Sequence, residues 1–105
     1  MVVHDGATVT ATHCEFMENG RYGVFCSAAN TKARLTDCQM HQNGWDGLSA
    51  SNHAVVDLHG TETDIHSNKR KGIYALFSAK VNVHLPSQHN TSHDNVWRDR
   101  YRCVQ

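Results

Sequence analysis

The chain has 105 residues, and its ten basic side chains are balanced by ten acidic ones, with nine histidines besides. That length fits one domain with a modest core, since a chain this short buries a little over ~60% of its unfolded surface. Balanced charge with no block of one sign excludes a general nucleic-acid binder, and no apolar run approaches the ~20 residues of a membrane span.

The first six residues, Met1-Val-Val-His-Asp-Gly6, lack the basic start and apolar stretch of a signal peptide. Two compartments stay open: the cytosol or, for an internal piece of a longer chain, a secreted, surface or viral protein. An apolar-polar-apolar triplet, Ala7-Thr-Val9, follows and returns as Ala33-Arg-Leu35, Ala54-Val-Val56 and Ala79-Lys-Val81. Next come Cys14 and Phe16, inward at period two, with His13 and Glu15 outward. Their counterparts are Cys38 and Met40, then Thr63 and Ile65, with Asp37, Gln39, Glu62 and Asp64 outward. Asn19 closes this stretch, and Asn43, Asn68 and Asn95 recur after 24, 25 and 27 residues. Behind each of the first three, a glycine opens a further strand. Val24, Leu48 and Ile73 point inward there, followed by Cys26, Ala50 and Ala75, while Phe25, Ser49 and Tyr74 point outward.

A repeat of this length fixes the architecture before any local pattern does. Three short strands per turn of roughly 24 residues, stacked at ~4.8 Å, predict an all-β chain. Its fold is a right-handed parallel β-helix of about four coils over 1–95, followed by a tail over 96–105. An amphipathic helix would need i, i+3, i+4 spacing over ten or more residues, and no stretch shows it. The turns absorb the variation, with three extra residues at 28–32 and longer connections at 59–61 and 85–89.

In a tight bend, an asparagine amide can bond backbone groups and the next asparagine above it, and Asn tolerates the left-handed backbone of bends. Asn19, Asn43, Asn68 and Asn95 are therefore expected to form a structural ladder. Cys14 and Cys38 share an inward column whose spacing exceeds the ~3.8 Å between Cβ atoms that a disulfide prefers. They and Cys26 are expected as packed free thiols. Cys103, in the tail, is the thiol expected to react or cross-link. Asn90-Thr-Ser92 is a glycosylation sequon that matters only on a secretory route.

The repeated Asn-x-x-x-Gly-[Val/Leu/Ile], with its Ala-x-[Val/Leu] strand, resembles the right-handed β-helix repeats of the pectate-lyase-like superfamily over about residues 7–95. The segment from His84 to Asn95 also resembles an ending of β-helix repeat proteins of algae and large DNA viruses. The resemblance implies the fold, and for function it spans polysaccharide lyases, alginate C5-epimerases and protein-binding subunits of ubiquitin ligases. Enzymes of the superfamily work on the outer face of the strand after the asparagine bend. A carboxylate or calcium there neutralises a uronate, and an Arg, Lys, His or Tyr removes the C5 proton.

The corresponding face here carries Arg21, Tyr22, Phe25, Trp45, Asp46, Ser49, Arg70, Lys71 and Tyr74. It lacks the Asp-Pro-His-Asp cluster of the similar epimerases, because the single proline is Pro86. Rings stacking on sugars and cations meeting carboxylates make this a candidate surface for an anionic polysaccharide or a protein. The plainer alternative is a soluble mixed surface in which Asp46 pairs with Arg70, Lys71 or Arg21. Two positions before the asparagines stand Met17, His41, His66 and His93. Three imidazoles stacked ~5 Å apart are a weak candidate for a transition metal. Unequal coils and the lack of Cys-x-x-Cys spacing favour a solvated, pH-sensitive face. No catalytic residue and no cofactor is expected.

A short solenoid leaves its interior and strand edges open at both ends. Trp97 and Tyr101 are candidates to fold over the last coil, while residues 1–6 offer no evident cap. The reading is a non-catalytic scaffold presenting a flat face for binding or assembly, with homo-oligomers through uncapped ends. The runner-up is a polysaccharide-active module of lyase or epimerase type, centred on Tyr22, Asp46, Arg70, Lys71 and Tyr74.

Overall fold

A computed structural model of the protein describes residues 1–86 and 89–102, so Cys103 lies outside the described residues. Its strands wind into three parallel sheets. The first holds β1 (Val2–His4), β4 (Val24–Ser27), β7 (Leu48–Ser51), β10 (Lys71–Ala75) and β13 (Arg98–Arg102) in that spatial order. The second stacks β2 (Thr8–Thr12), β5 (Lys32–Thr36), β8 (Val55–His59) and β11 (Lys80–Val83). The third stacks β3 (Glu15–Met17), β6 (Gln39–His41), β9 (Asp64–His66) and β12 (Ser92–His93). Each strand pairs with the one three places on, which is a parallel β-helix with three strands per coil.

Period two sets the inward faces. Val24, Leu48 and Ile73 lie in register, as do Phe16, Met40 and Ile65. Leu35, Met40, Leu48, Val56, Leu58 and Ile65 are fully buried, and each contributes about 1.5–3 kcal/mol by leaving water. Cys14, Cys26 and Cys38 are free thiols, with burial raising the pKa of Cys26 and Cys38.

The second sheet departs from the expected alignment. Val9, Ala33, Val56 and Val81 share one column, and Ala11, Leu35, Leu58 and Val83 the next, so the Ala33–Leu35 pair sits two places from its expected register. Nine positions separate Val24 from Ala33, against eight from Leu48 to Val56, so the turn at 28–31 holds one extra residue instead of three. Thr31, fully buried, comes just before this strand, and its Oγ1 accepts the Gly6 N–H at 2.8 Å.

The asparagine ladder is continuous. Asn19 Nδ2 donates to Asn43 Oδ1 (3.0 Å), Asn43 Nδ2 to Asn68 Oδ1 (2.9 Å) and Asn68 Nδ2 to Asn95 Oδ1 (2.8 Å). Each acceptor also takes the backbone N–H of the asparagine below it, and Asn43 and Asn68 donate again to the carbonyls of Phe16 and Met40. At the top Asp99 Oδ1 takes both the Asn95 N–H and Nδ2 at 3.1 Å, standing where a fifth asparagine oxygen would be. The expected left-handed backbone falls one residue earlier than the asparagines, on Glu18, Gln42, Ser67 and Asp94. The amide is thus committed to the ladder while its predecessor makes the bend.

Residues 1–6 do contribute to closure, because β1 adds to the first sheet and the Met1 amino group donates to Gly23 O at 2.7 Å. At the other end β13 pairs with β10, placing Arg100 opposite Ile73. Trp97 is turned outward and 57% exposed, so it does not cover the last coil.

Candidate functional site

The bend after each ladder asparagine is itself hydrogen-bonded from coil to coil. Trp45 N–H donates to Arg21 O (2.8 Å), Arg70 N–H to Trp45 O (3.1 Å) and Trp97 N–H to Arg70 O (3.0 Å). Side chains two positions beyond the asparagines are thereby held in one file: Arg21, Trp45, Arg70, Trp97. The guanidinium carbons of Arg21 and Arg70 lie 4.8 and 4.5 Å from the Trp45 ring centre, and Arg70 is 4.9 Å from Trp97. Lys71 Nζ lies 4.8 Å from the Trp97 ring and 4.3 Å from that of Tyr74. Cations and rings alternate, each held by the quadrupole of its neighbour. Tyr22 stacks on Phe25 at 4.8 Å and meets the edge of Trp45 at 5.4 Å.

All nine expected face residues are therefore neighbours, with two departures in detail. Asp46 is buried, and its Oδ1 accepts the Lys71 N–H at 2.9 Å, a backbone donor that the bend would otherwise leave open. Burial raises the Asp46 pKa, against the Lys71 N–H and the Lys71 and Arg70 charges, which lower it. Ser49 lies in register between Phe25 and Tyr74 but is only 2% exposed, being the smallest member of its column. Burial and then the Asp46 charge raise the Tyr22 pKa. Trp97 is the member that sequence reasoning placed elsewhere, as a lid. Its position two beyond Asn95 was the available signal.

The histidine file also forms. His41 and His66 stack at 4.9 Å, His66 and His93 at 5.3 Å, with planes within 11° of parallel. Stacked face to face, the rings aim their nitrogens sideways into separate partners. His41 Nε2 meets Glu15 at 2.7 Å, His66 Nδ1 meets Ser67 at 2.9 Å, and His93 meets Asp64 at 2.7 Å and Asp94 at 2.8 Å. A second pair, His59 and His84, stacks at 4.3 Å on the neighbouring sheet.

The family described as the right-handed beta helix region matches residues 1–96. The chain belongs to that family. No curated protein and no solved structure matches it. The handedness of the coil follows from the family, and the faces of this β-helix must be read from its own residues. Among the described residues no helix is long and apolar enough to cross a membrane.

Proposed function

We propose that this β-helix is a non-catalytic scaffold whose Arg21–Trp45–Arg70–Trp97 file binds an acidic polysaccharide. The alternating file carries the reading. Among the described residues no carboxylate oxygen lies within 4 Å of the Arg21 or Arg70 nitrogens, so these guanidinium edges remain available to anions. Arg offers a planar fork that matches a carboxylate, and its stacking between rings holds that fork in place. Trp45 has a cation on either side, so sugar stacking falls to the exposed ring of Trp97. The burial of Asp46 against a backbone donor supports binding over proton transfer.

Titration of the protein with polygalacturonate and with an uncharged glucan tests this. Polygalacturonate should bind, more weakly as salt rises, and Arg70→Ala and Trp97→Ala should each reduce affinity about tenfold or more. Equal binding of the uncharged polymer, or unchanged binding by both variants, overturns the proposal. Formation of unsaturated uronates absorbing near the ultraviolet edge would instead identify the lyase-type module.

A further inference from the structure

We propose that His13, Asp37 and Glu62 form a binding site for a divalent transition metal of the Zn²⁺ class. They occupy the corner between the second and third sheets on three successive coils, each six residues before its ladder asparagine. This corner is separate from the aromatic and arginine file, so the site does not depend on the function proposed above. His13 and Asp37 turn the corner in the left-handed region, with φ of 54° and 52°, and Gly60 does so on the third coil with φ of 87°. The longer connection after Gly60 brings Glu62 back toward the coil below. Its N–H donates to Asp37 Oδ1 at 3.1 Å, which orients that carboxylate and leaves Oδ2 facing His13.

One ligand atom from each of the three residues lies within 4.8 Å of the other two. His13 Nε2 is 3.9 Å from Asp37 Oδ2, and His13 Nδ1 is 3.7 Å from Glu62 Oε2. Both separations are too long for hydrogen bonds. Metal bonds of ~2.0–2.2 Å set neighbouring ligand atoms roughly 3–3.5 Å apart, so small rotations of His13 and Glu62 close the set. Both side chains are free to rotate, being 65% and 70% exposed.

The surrounding charges favour a cation. Among the described residues no Lys or Arg nitrogen lies within 4 Å of either carboxylate, and His13 is their sole basic neighbour at that range. Unlike His41 and His93, His13 has no hydrogen-bond partner for its ring nitrogens among the described residues. His89, one coil further on in the same column, is already engaged by Thr91 Oγ1 at 2.9 Å and Thr61 O at 2.7 Å. Three protein ligands therefore remain, with further coordination positions open to water. One imidazole with two carboxylates suits a borderline metal better than Ca²⁺ or Mg²⁺, which take all-oxygen sets. A bound ion would tie three coils together and stabilise the N-terminal half of the solenoid.

Calorimetric titration of the full chain with Zn²⁺, followed by thermal melting with and without the ion, tests the site. One Zn²⁺ per chain and a raised Tm are expected. His13→Ala and Glu62→Gln, both at exposed positions, should weaken binding about tenfold or more and abolish the Tm shift while leaving the metal-free Tm unchanged. His66→Ala should bind like the parent. Absence of saturable binding overturns the proposal, and so does binding that survives His13→Ala but is lost in His66→Ala.

Discussion

Asn43 sits in the middle of the ladder with every polar atom of its side chain engaged, and at zero exposure it has no water to fall back on. Truncation to alanine removes the acceptor of the Asn19 N–H and amide and the donors to Phe16 O and Asn68 Oδ1. At about 1 kcal/mol net per bond, Asn43→Ala should destabilise by about 2–4 kcal/mol in urea unfolding. Asn19→Ala, at the exposed end of the same ladder, should lose distinctly less, and equal losses would contradict a burial-dependent ladder. Titratable groups act at the same scale. Hydrogen bonds that His93 donates to the Asp94 and Asp64 carboxylates raise its pKa above the ordinary value, against burial, which lowers it. A raised histidine contributes stability fully below its unfolded pKa, and that contribution disappears as pH rises through the folded pKa. Asp57 runs the other way: its hydrogen bonds from His84 and Asn82 lower its pKa. Its contribution is present above the ordinary carboxylate range and is lost as pH falls through the folded value. Proton-detected titration should find His93 above an ordinary histidine, and Asp94→Asn should bring it down. An unmoved His93 in that variant would remove Asp94 as the cause.

At the scale of the strand, the glycines before Val24, Leu48 and Ile73 are needed for space and not for backbone angle. A Cβ on Gly47 would stand 2.6 Å from Asn68 Nδ2 and 3.0 Å from Gly72 O. Neither can retreat without breaking the ladder or the pairing of β7 with β10, so Gly47→Ala should cost about 1–3 kcal/mol by overpacking. Circular dichroism during urea unfolding would show this as a lower midpoint. The same columns explain what could be read from the sequence. Asn19, Asn43 and Asn68, with Gly23, Gly47 and Gly72 four positions behind them, fix the register of two sheets without coordinates. The second sheet was legible as strands but not in register. Thr31 looks polar, yet its hydroxyl is satisfied by Gly6, so its burial gives no signal in the residue types. Asp99 likewise reads as a counter-charge to nearby arginines, whereas its carboxylate ends the ladder. Asp46 and Ser49 lie on the face that alternation assigns, but alternation says nothing of how larger neighbours bury them. The contacts across coils at the corner of His13, Asp37 and Glu62 depended on the turn after Gly60, whose path the spacing leaves undefined.

For the whole molecule, the decisive property is that each coil touches only the coils beside it. Stability then sums over neighbouring interfaces, and the terminal coils have one interface where central coils have two. Among the described residues both end coils are also incompletely covered. The first sheet has five strands and the other two have four among the described residues, so no described strand lies over β11. A cavity of about 470 Å³ lies over this edge, lined by Ile73, Ala79, Val81, Val83 and Arg100 among others. Hydrogen exchange should therefore be graded. Amides of Leu35, Met40, Ala50, Val56 and Ile65 should exchange only by global unfolding, while those of β2 and β11 open locally at lower free energy. Uniform protection from edge to centre would mean that the coils open as one unit and would contradict the additive description. The dilution dependence of the same experiment addresses assembly through uncapped ends. A second copy seated on the open edges would slow exchange in β2 and β11 as concentration rises, in step with a rising sedimentation coefficient. Val81→Lys places a charge in the cavity and should abolish both trends without altering the central amides. Concentration-independent exchange at both edges, with a constant sedimentation coefficient, would establish that this solenoid keeps its ends open alone.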